Sequence, residues 1–233
     1  MKIGIIGHGR FGALWAYCMK KFGDVVIHDK ENENLEEVLN VDLLFLLVPI
    51  SEIKNVCKEI SDKLNENTIV VDACSVKVKP VEGMKSELKH SQPIIATHPL
   101  FGPDSVKRLG LEGQKIVVSK VRVTEGQLSF LESMLKKMKL EIIHATPEEH
   151  DRQMARSQAL VHFLGRGLGD LKLEDQQIAT PDYNSLLEIN DLVNNDTWEL
   201  FFDMQLHNPF AREIREELLT SLKNLESKIE SYE

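Results

Sequence analysis

Short apolar runs alternate with longer segments of helical periodicity over the first 145 residues. Six runs predict buried strands, at 2–7, 24–29, 41–49, 67–75, 92–98 and 114–119. Between the first two strands, residues 10–22 place their apolar side chains on one side of a helix. A second helix begins at Ser51 and ends near Leu64. Strands that alternate with helices predict an α/β fold with a doubly wound, mostly parallel sheet.

The pattern changes after about residue 145, and the sequence predicts no strand beyond about residue 143. One long helix is predicted there, with Thr146 as its N-cap, Pro147 at its first position and Glu149 at its third. Helical segments follow at 181–206 and 209–230, with large apolar side chains on several faces. We therefore predict a Rossmann-type dinucleotide-binding domain over 1–145 and an all-α substrate domain over 146–233. The apolar faces of the second domain predict a homodimer.

Composition and charge are ordinary for a globular protein. The 233 residues are 42% hydrophobic and carry a formal net charge of −9, with scattered Lys and Arg. That balance argues against nucleic acid or an anionic membrane surface as a partner. Cys18, Cys57 and Cys74 show no metal-ligand spacing, so no metal site is predicted. Without a signal pattern or an apolar stretch of membrane-spanning length, the odd cysteine count predicts reduced thiols and a cytoplasmic location.

A glycine-rich turn follows the first predicted strand and opens the first predicted helix. Its sequence, "GHGRFG" at 7–12, matches GxGxxG in the context that dinucleotide binding requires. Gly7 allows the tight turn, Gly9 lets a pyrophosphate approach the backbone, and Gly12 lets helix and strand pack closely. Arg10 and Phe11 lie within the same motif and are assigned to the same cofactor site. The structural alternative is a glycine-rich turn without a ligand.

Asp29 ends the second predicted strand, about 20 residues past the glycines, where an acidic residue commonly meets the cofactor ribose. A carboxylate there accepts hydrogen bonds from the ribose hydroxyls and repels a 2′-phosphate, which favours NAD. Lys30, next to it, could tolerate that phosphate, so NADP stays possible. A solvated acid at the end of a strand is the alternative for Asp29.

Ligands of open α/β sheets bind beyond the carboxyl ends of the strands. The segment "DACSVK" brings Ser75 and Lys77 there, and "THPLFGP" brings His98, on a loop stiffened by two prolines and a glycine. An imidazole beside a serine suits a general base that accepts the proton of an alcohol while a nicotinamide accepts the hydride. Alternatively, His98 is a loop residue that hydrogen-bonds the backbone.

Four motifs together resemble the prephenate/arogenate dehydrogenase family of tyrosine biosynthesis, in the same order and at similar spacing. They are "GHGRFG", "DACSVK", "THPLFGP" and "EEHDRQMARSQALVHFLGR". The similarity covers nearly the whole chain and is greatest to the short plant-type arogenate dehydrogenases. It implies oxidative decarboxylation of arogenate to tyrosine, or of prephenate to 4-hydroxyphenylpyruvate. It also implies that His98 takes the proton of the ring hydroxyl and that Ser75 hydrogen-bonds that hydroxyl or His98.

The resemblance further implies that Gln158 and Thr180 contact the substrate side chain. In plant-type relatives an acidic residue, here Asp196, accompanies the amino substrate, which favours arogenate because a carboxylate attracts an ammonium group. A helix-start or N-cap aspartate before Trp198 is the alternative. His150 and His162 match helix histidines of the family and are interpreted as structural. The arginine that holds a substrate carboxylate in many bacterial members is missing from 179–191, and four cations are candidate replacements: Arg152, Arg156, Arg166 and Lys107.

Two other functions fit parts of this pattern. A β-hydroxyacid dehydrogenase or imine reductase shares the architecture but places a lysine in a middle helix as the proton carrier, and it does not require the HPLFGP segment. A non-catalytic NAD(H)-sensing dimer would bind NADH without turnover. The joint presence of Ser75, His98 and Gln158 argues against a sensor, because a sensor has no need of them.

Overall fold

A computed structural model describes residues 1–30 and 34–232 of the chain. The chain folds into two compact units, Met1–His150 and Asp151–Glu233. The first unit contains the sheet, and the second unit is helical. The assignment of cofactor binding to 1–145 and of substrate binding to 146–233 stays a prediction.

The first unit contains one seven-stranded sheet in the order β2-β1-β3-β4-β5-β6-β7. Its strands are β1 Lys2–Ile6, β2 Asp24–His28, β3 Leu43–Leu46, β4 Ile69–Asp72, β5 Ile94–Pro99, β6 Lys115–Arg122 and β7 Glu141–His144. Every neighbouring pair is parallel except β5 with β6, which confirms the predicted fold class. The prediction missed β7, because this four-residue edge strand is exposed at both ends and its apolar run is only two residues long.

Helices cover both faces of this sheet. They are α1 Arg10–Met19, α2 Leu35–Leu39, α3 Ile53–Ile60, α4 Val78–Glu87, α5 Pro103–Leu109 and α6 Glu125–Lys137, with a 3-10 turn at Ile50–Glu52 before α3. Alternate residues of the central strand β3 join opposite hydrophobic clusters, so Phe45 packs on the side of α1 and Leu44 packs on the side of α3. A strand buried on both faces needs a continuous apolar run, which is what the sequence shows at 41–49.

The long helix predicted from residue 146 is present, with an irregularity that the sequence did not predict. It comprises α7 Pro147–Met154, a π-helical turn Ala155–Ala159 and α8 Leu160–Asp170. The predicted cap is confirmed: the Glu149 N–H donates to Thr146 Oγ1 over 3.2 Å, and the Thr146 N–H donates to Glu149 Oε2 over 2.9 Å. Such reciprocal bonds satisfy N–H groups that the first turn of a helix leaves unpaired.

The second unit continues with α9 Pro181–Asn194, α10 Trp198–His207 and α11 Ala211–Glu230. The prediction of one helical segment over 181–206 is therefore wrong. Thr197 begins a new helix, because its Oγ1 accepts the Leu200 N–H over 3.1 Å. Within 1–30 and 34–232, no helix is long and apolar enough to cross a membrane.

The glycine turn between β1 and α1 is tightly packed at its two ends and open in its middle. Gly7 has a φ of +104°, and a Cβ there would lie 2.3 Å from the Leu47 carbonyl oxygen. A Cβ on Gly12 would lie 2.2 Å from the Gly7 carbonyl oxygen, whereas a Cβ on Gly9 would have no described atom within 4 Å. The first and third glycines therefore hold α1 against the sheet, and the second leaves accessible backbone.

These contacts predict that Gly12→Ala destabilises the fold. The methyl group would meet backbone rather than a side chain that can move, so we expect the free energy of unfolding to fall by about 2–3 kcal/mol. Urea titration followed by circular dichroism measures the loss. Gly9→Ala is the matched control and should cost less than about 1 kcal/mol. Equal losses in the two variants would contradict the packing role of Gly12.

Candidate active site

The open glycine turn lies at the carboxyl end of β1 and forms the start of α1. Gly9 is the N-cap residue of α1, and no side chain in the described ranges caps that end of the helix. Backbone N–H groups at a helix N-terminus attract anions, because they are unpaired and the helix dipole is positive there. The open space at Gly9 leaves room for a phosphate group to reach them. This geometry fits the pyrophosphate of a dinucleotide.

Asp29 follows β2, which lies beside β1 in parallel, so its carboxylate reaches the same edge of the sheet. The side chain is half-buried, and its Oδ1 accepts the Lys30 N–H over 2.8 Å. The Lys30 side chain is exposed. Among the described residues no side chain or backbone group is bonded to the second carboxylate oxygen of Asp29, which suits this oxygen as an acceptor for a ribose.

Arg10 and Phe11 differ in their surroundings. The Arg10 Nη2 lies 2.7 Å from both carboxylate oxygens of Asp104, in the first turn of α5, and the pair is exposed. The Phe11 ring stacks on Trp15, with 5.6 Å between ring centres, and also packs near Phe101. Phe11 thus contributes to the hydrophobic core, and its assignment to the cofactor site stays a prediction.

A fully buried ion pair lies at the carboxyl end of β4. Asp72 ends the strand, and the Lys77 Nζ contacts its Oδ2 with both side chains 0% exposed. Lys77 also donates to the carbonyl oxygen of Thr97 in β5, while Thr97 Oγ1 donates to the Asp72 carbonyl oxygen over 2.6 Å. The pair therefore ties the loop after β4 to the residue before His98. Sequence reasoning placed Lys77 at this edge but missed Asp72, although a carboxylate that ends an apolar strand is a recognisable signal.

His98 lies inside β5 and not on a loop, which corrects the expectation from the prolines. It pairs with Val117 of β6, and Pro99 is the last residue of the strand. Proline is tolerated here because the next ladder hydrogen bond comes from the Leu100 N–H, which donates to the Lys115 carbonyl oxygen over 2.9 Å. The imidazole is consequently held by sheet pairing as well as by the turn that follows.

The His98 Nδ1 lies 2.8 Å from the His150 Nε2, with 5.0 Å between ring centres and an edge-to-face arrangement. The two residues are 3% and 2% exposed. Burial lowers the pKa of His98 well below its usual range, and electrostatic interaction with His150 and with the Lys77 ammonium group lowers it further. At neutral pH His98 is therefore a neutral imidazole, the form that accepts a proton. Sequence reasoning assigned His150 no chemistry, because nothing in helical spacing shows that it faces His98.

Ser75 is half-buried in the loop between β4 and α4, two residues before Lys77. Among the described residues no hydrogen bond joins its hydroxyl to His98. Its assignment to the substrate hydroxyl or to His98 therefore stays a prediction.

In the second unit, Gln158, His162 and Arg166 are spaced by four residues and face the same way along the helix. Each has a buried polar atom without a hydrogen-bond partner in the described part of the chain: Gln158 Oε1, His162 Nδ1 and Arg166 Nε. Leaving such an atom unsatisfied costs about 1–3 kcal/mol. The stripe is therefore suited to a polar ligand.

Asp196 lies beside this stripe, in the turn between α9 and α10. Arg166 donates to the Asp196 carbonyl oxygen, and its guanidinium carbon lies 4.3 Å from the centre of the Trp198 ring. The His162 Nε2 is 3.8 Å from Asp196 Oδ2. Burial lowers the pKa of His162, Asp196 opposes that shift, and Arg166 adds to it. Thr197 rather than Asp196 is the N-cap of α10, so the capping alternative for Asp196 is wrong.

The remaining candidates are engaged in local contacts. Thr180 is exposed and caps α9, its Oγ1 accepting the Tyr183 N–H over 3.3 Å. Arg156 pairs with Glu217 over 3.4 Å, and Arg152 lies over the Phe210 ring. In the part of the chain that the structure describes, no group of three or more His, Cys, Asp or Glu side chains could hold a metal ion.

The chain is similar in sequence to known dehydrogenases. Residues 19–144 match the family model for the nucleotide-binding domain of prephenate dehydrogenase, and residues 167–233 match a TYRAAT1-like C-terminal domain. The chain is 28% identical to arogenate dehydrogenase 1 of Arabidopsis thaliana over 94% of its length. It is 30% identical to a probable arogenate/prephenate dehydrogenase of Methanocaldococcus jannaschii over 83% of its length. It covers 38% of the plant protein and 45% of the archaeal one.

A solved structure shows the same fold. The crystal structure of prephenate dehydrogenase from A. aeolicus, in complex with hydroxyphenyl propionate and NAD+, superimposes with a TM-score of 0.78 at 19% identity. The match covers 98% of this chain and 90% of that one.

The buried ion pair predicts a large loss of stability when one partner is removed. Lys77→Met leaves the Asp72 carboxylate buried without its cation, so we expect the free energy of unfolding to fall by about 3–5 kcal/mol. The double variant Asp72→Asn/Lys77→Met removes both charges and should recover part of that loss. Urea titration of the three proteins measures it. If the double variant were as unstable as Lys77→Met, charge burial would not be the cause.

Proposed function

Because the chain belongs to the prephenate/arogenate dehydrogenase family, we propose that it oxidatively decarboxylates arogenate to tyrosine, or prephenate to 4-hydroxyphenylpyruvate. Arogenate is the favoured substrate. The observation that carries the proposal is the buried, neutral His98, held at the edge of the sheet where the open glycine turn also lies. A rigid imidazole near a dinucleotide site suits the removal of a proton from an alcohol that is being oxidised.

The residues of the chain account for the steps of this reaction. His98 takes the proton from the ring hydroxyl as hydride leaves the carbon that bears this hydroxyl. The product of this step is a ketone whose conjugated C=C bonds extend to the carbon that bears the carboxylate. The C–C bond to that carboxylate then breaks and CO2 leaves. The electron pair of that bond makes the ring aromatic and moves the negative charge to the former ketone oxygen, which takes the proton back from His98. When bound, NAD or NADP supplies the acceptor for the hydride. Ser75 is assigned to orient the hydroxyl.

The residues at the glycine turn fit a dinucleotide. The uncapped start of α1 and the accessible backbone at Gly9 suit its pyrophosphate, with Gly7 and Gly12 shaping the turn. Asp29 suits the ribose of NAD, and the exposed Lys30 leaves NADP possible. Arg10, paired with Asp104 at the same edge, is assigned to the cofactor phosphates.

The choice of substrate is assigned to the second unit. Asp196 carries the negative charge that an ammonium group would seek, and Arg166 and His162 fix its position. The pyruvyl side chain of prephenate has no positive charge that Asp196 could attract. The buried Gln158 Oε1, which has no hydrogen-bond partner in the described ranges, is a further acceptor for the substrate side chain, and Thr180 is assigned the same role.

Exposed apolar side chains support a homodimer formed through the helical unit. Leu219, Leu222, Leu225 and Ile229 lie at helical spacing along α11 and are all about half exposed, and Leu206 of α10 is more exposed still. An apolar stripe of this kind on a long helix is typical of a helix that packs on another. We propose that α11 of a second copy of the chain packs on this apolar stripe.

A cytoplasmic location is proposed because the three cysteines are buried as free thiols.

The proposal predicts that His98→Asn loses turnover while it keeps the cofactor. Removal of a general base costs about 10²–10⁴-fold in kcat, whereas NADH affinity should not change because His98 is not assigned to the cofactor. Formation of NADH or NADPH with arogenate and with prephenate, each with NAD and NADP, measures turnover. Fluorescence titration measures NADH binding. His144→Asn, an exposed histidine on β7, is the control.

Activity within tenfold of the wild type in His98→Asn would refute the role of this base. Wild-type protein that binds NADH and turns over neither substrate would favour a sensor or another reductase.

The role of Asp196 predicts a change in substrate preference. Asp196→Asn removes the carboxylate but keeps the backbone oxygen that Arg166 binds, so kcat/KM for arogenate should fall by about tenfold relative to prephenate, equivalent to about 1.4 kcal/mol. Asp191→Asn, an exposed carboxylate nearby on α9, is the matched control. An unchanged ratio of the two kcat/KM values would remove Asp196 as the discriminator.

A further inference from the structure

We propose that His150 is the positioning residue for His98: it accepts the hydrogen bond from His98 Nδ1–H and leaves His98 Nε2 as the atom that takes the substrate proton. This inference rests on the proposed function, in which His98 is the base. It assigns a task to a histidine that its place in a helix would make structural. It also predicts which tautomer each ring adopts.

The geometry of the pair is that of a full hydrogen bond. The 2.8 Å between His98 Nδ1 and His150 Nε2 is within the usual range for nitrogen donors and acceptors. Both rings are almost completely buried, so water does not compete for these two atoms. His98 is fixed by sheet pairing in β5, and His150 is fixed by the start of α7, where its backbone N–H donates to the Thr146 carbonyl oxygen over 2.9 Å.

His98 can act as a base only if it is the donor in this hydrogen bond. A neutral imidazole carries one N–H and one lone pair, so whichever nitrogen donates determines the other. If His98 Nδ1–H donates, its Nε2 has the free lone pair, and His150 carries its proton on Nδ1. If the bond ran the other way, His98 Nε2 would carry hydrogen and could not accept a proton.

The charges around the pair explain why a neutral partner suits this site. Lys77 is the nearest buried cation, and its ammonium group is paired with Asp72 and with the Thr97 carbonyl oxygen. From α7, the exposed Glu148 and Glu149 are the acidic groups of the first turn. The positive end of the α7 dipole disfavours a second proton, and hence a positive charge, on His150, so the proton taken from the substrate stays on His98. A carboxylate in the place of His150 would raise the affinity of His98 for protons before the substrate arrives.

The proton is accounted for through one turnover. The O–H bond of the substrate breaks, a new N–H bond forms at His98 Nε2, and His98 becomes an imidazolium. Its Nδ1–H continues to donate to the lone pair on His150 Nε2, so His150 stays neutral throughout. When CO2 leaves, the electron pair of the broken C–C bond moves to the ring oxygen, and His98 Nε2 returns the proton to that oxygen, so the product leaves as a phenol and His98 is again neutral.

Two variants at position 150 distinguish the hydrogen bond that His150 accepts from the contribution of its ring to packing. His150→Ala removes the acceptor, and loss of a group that orients a functional side chain typically costs about 10–100-fold, here expected in kcat. His150→Gln places an amide oxygen where Nε2 was, so kcat should return to within about fivefold of the wild type. His144→Ala, on the exposed face of β7, controls for loss of a histidine. Equal kcat in the Ala and Gln variants would overturn the proposal.

A readout without substrate tests the tautomer directly. Nitrogen-15 NMR of the wild-type protein above pH 7 should show His98 with hydrogen on Nδ1 and a lone pair on Nε2, and His150→Ala should shift His98 toward the other tautomer. Hydrogen on Nε2 of His98 in the wild type would overturn the inference. If neither substrate were turned over while the tautomers were as expected, the proposed function would fail and the hydrogen-bond assignment would hold.

Discussion

The ion pair between Lys77 and Asp72 is the interaction on which the arrangement of the candidate active site depends. Both side chains are excluded from water, so removal of either charge would leave the other buried without a counter-ion. Lys77 also donates to the Thr97 carbonyl oxygen, and Asp72 Oδ2 accepts the Cys74 N–H. Those bonds join the end of β4 to the strand that carries His98. A single buried contact thus fixes the loop that contains Ser75 and also places a positive charge near the imidazole.

The glycine turn between β1 and α1 combines closely packed glycines with an accessible stretch of backbone. Gly7 and Gly12 bring α1 against the sheet so closely that no other side chain fits, while Gly9 faces open space among the described residues. The same edge carries Asp29, Arg10 and the end of β5, because neighbouring parallel strands end together. A nucleotide site and a base therefore share one edge of one sheet.

Periodicity and motif context predicted most of the fold, and they failed where an apolar run is short and where the deciding contact is distant in sequence. The sheet class, the cap at Thr146 and the turn at Gly7 all follow from local rules. The edge strand β7 was missed because its apolar run is too short. The break before Trp198 was placed within one helical segment, although a cap at Asp196 was weighed as an alternative there. The contact of His150 with His98 became visible only in three dimensions, since the two residues lie 52 positions apart. Asp72 was missed although it ends an apolar strand, which is a recognisable signal.

The π-helical turn at Ala155–Ala159 makes the length of this segment critical. Each residue of a helix turns the chain by about 100°, so loss of one residue there would restore a regular helix and rotate every later side chain of α8 by that angle. A deletion directly after Gln158 would therefore turn His162 and Arg166 away from the direction that they share with Gln158. Changes in chain length are therefore expected only in the connections between helices, such as 171–179, where an added or deleted residue does not rotate the side chains of a helix.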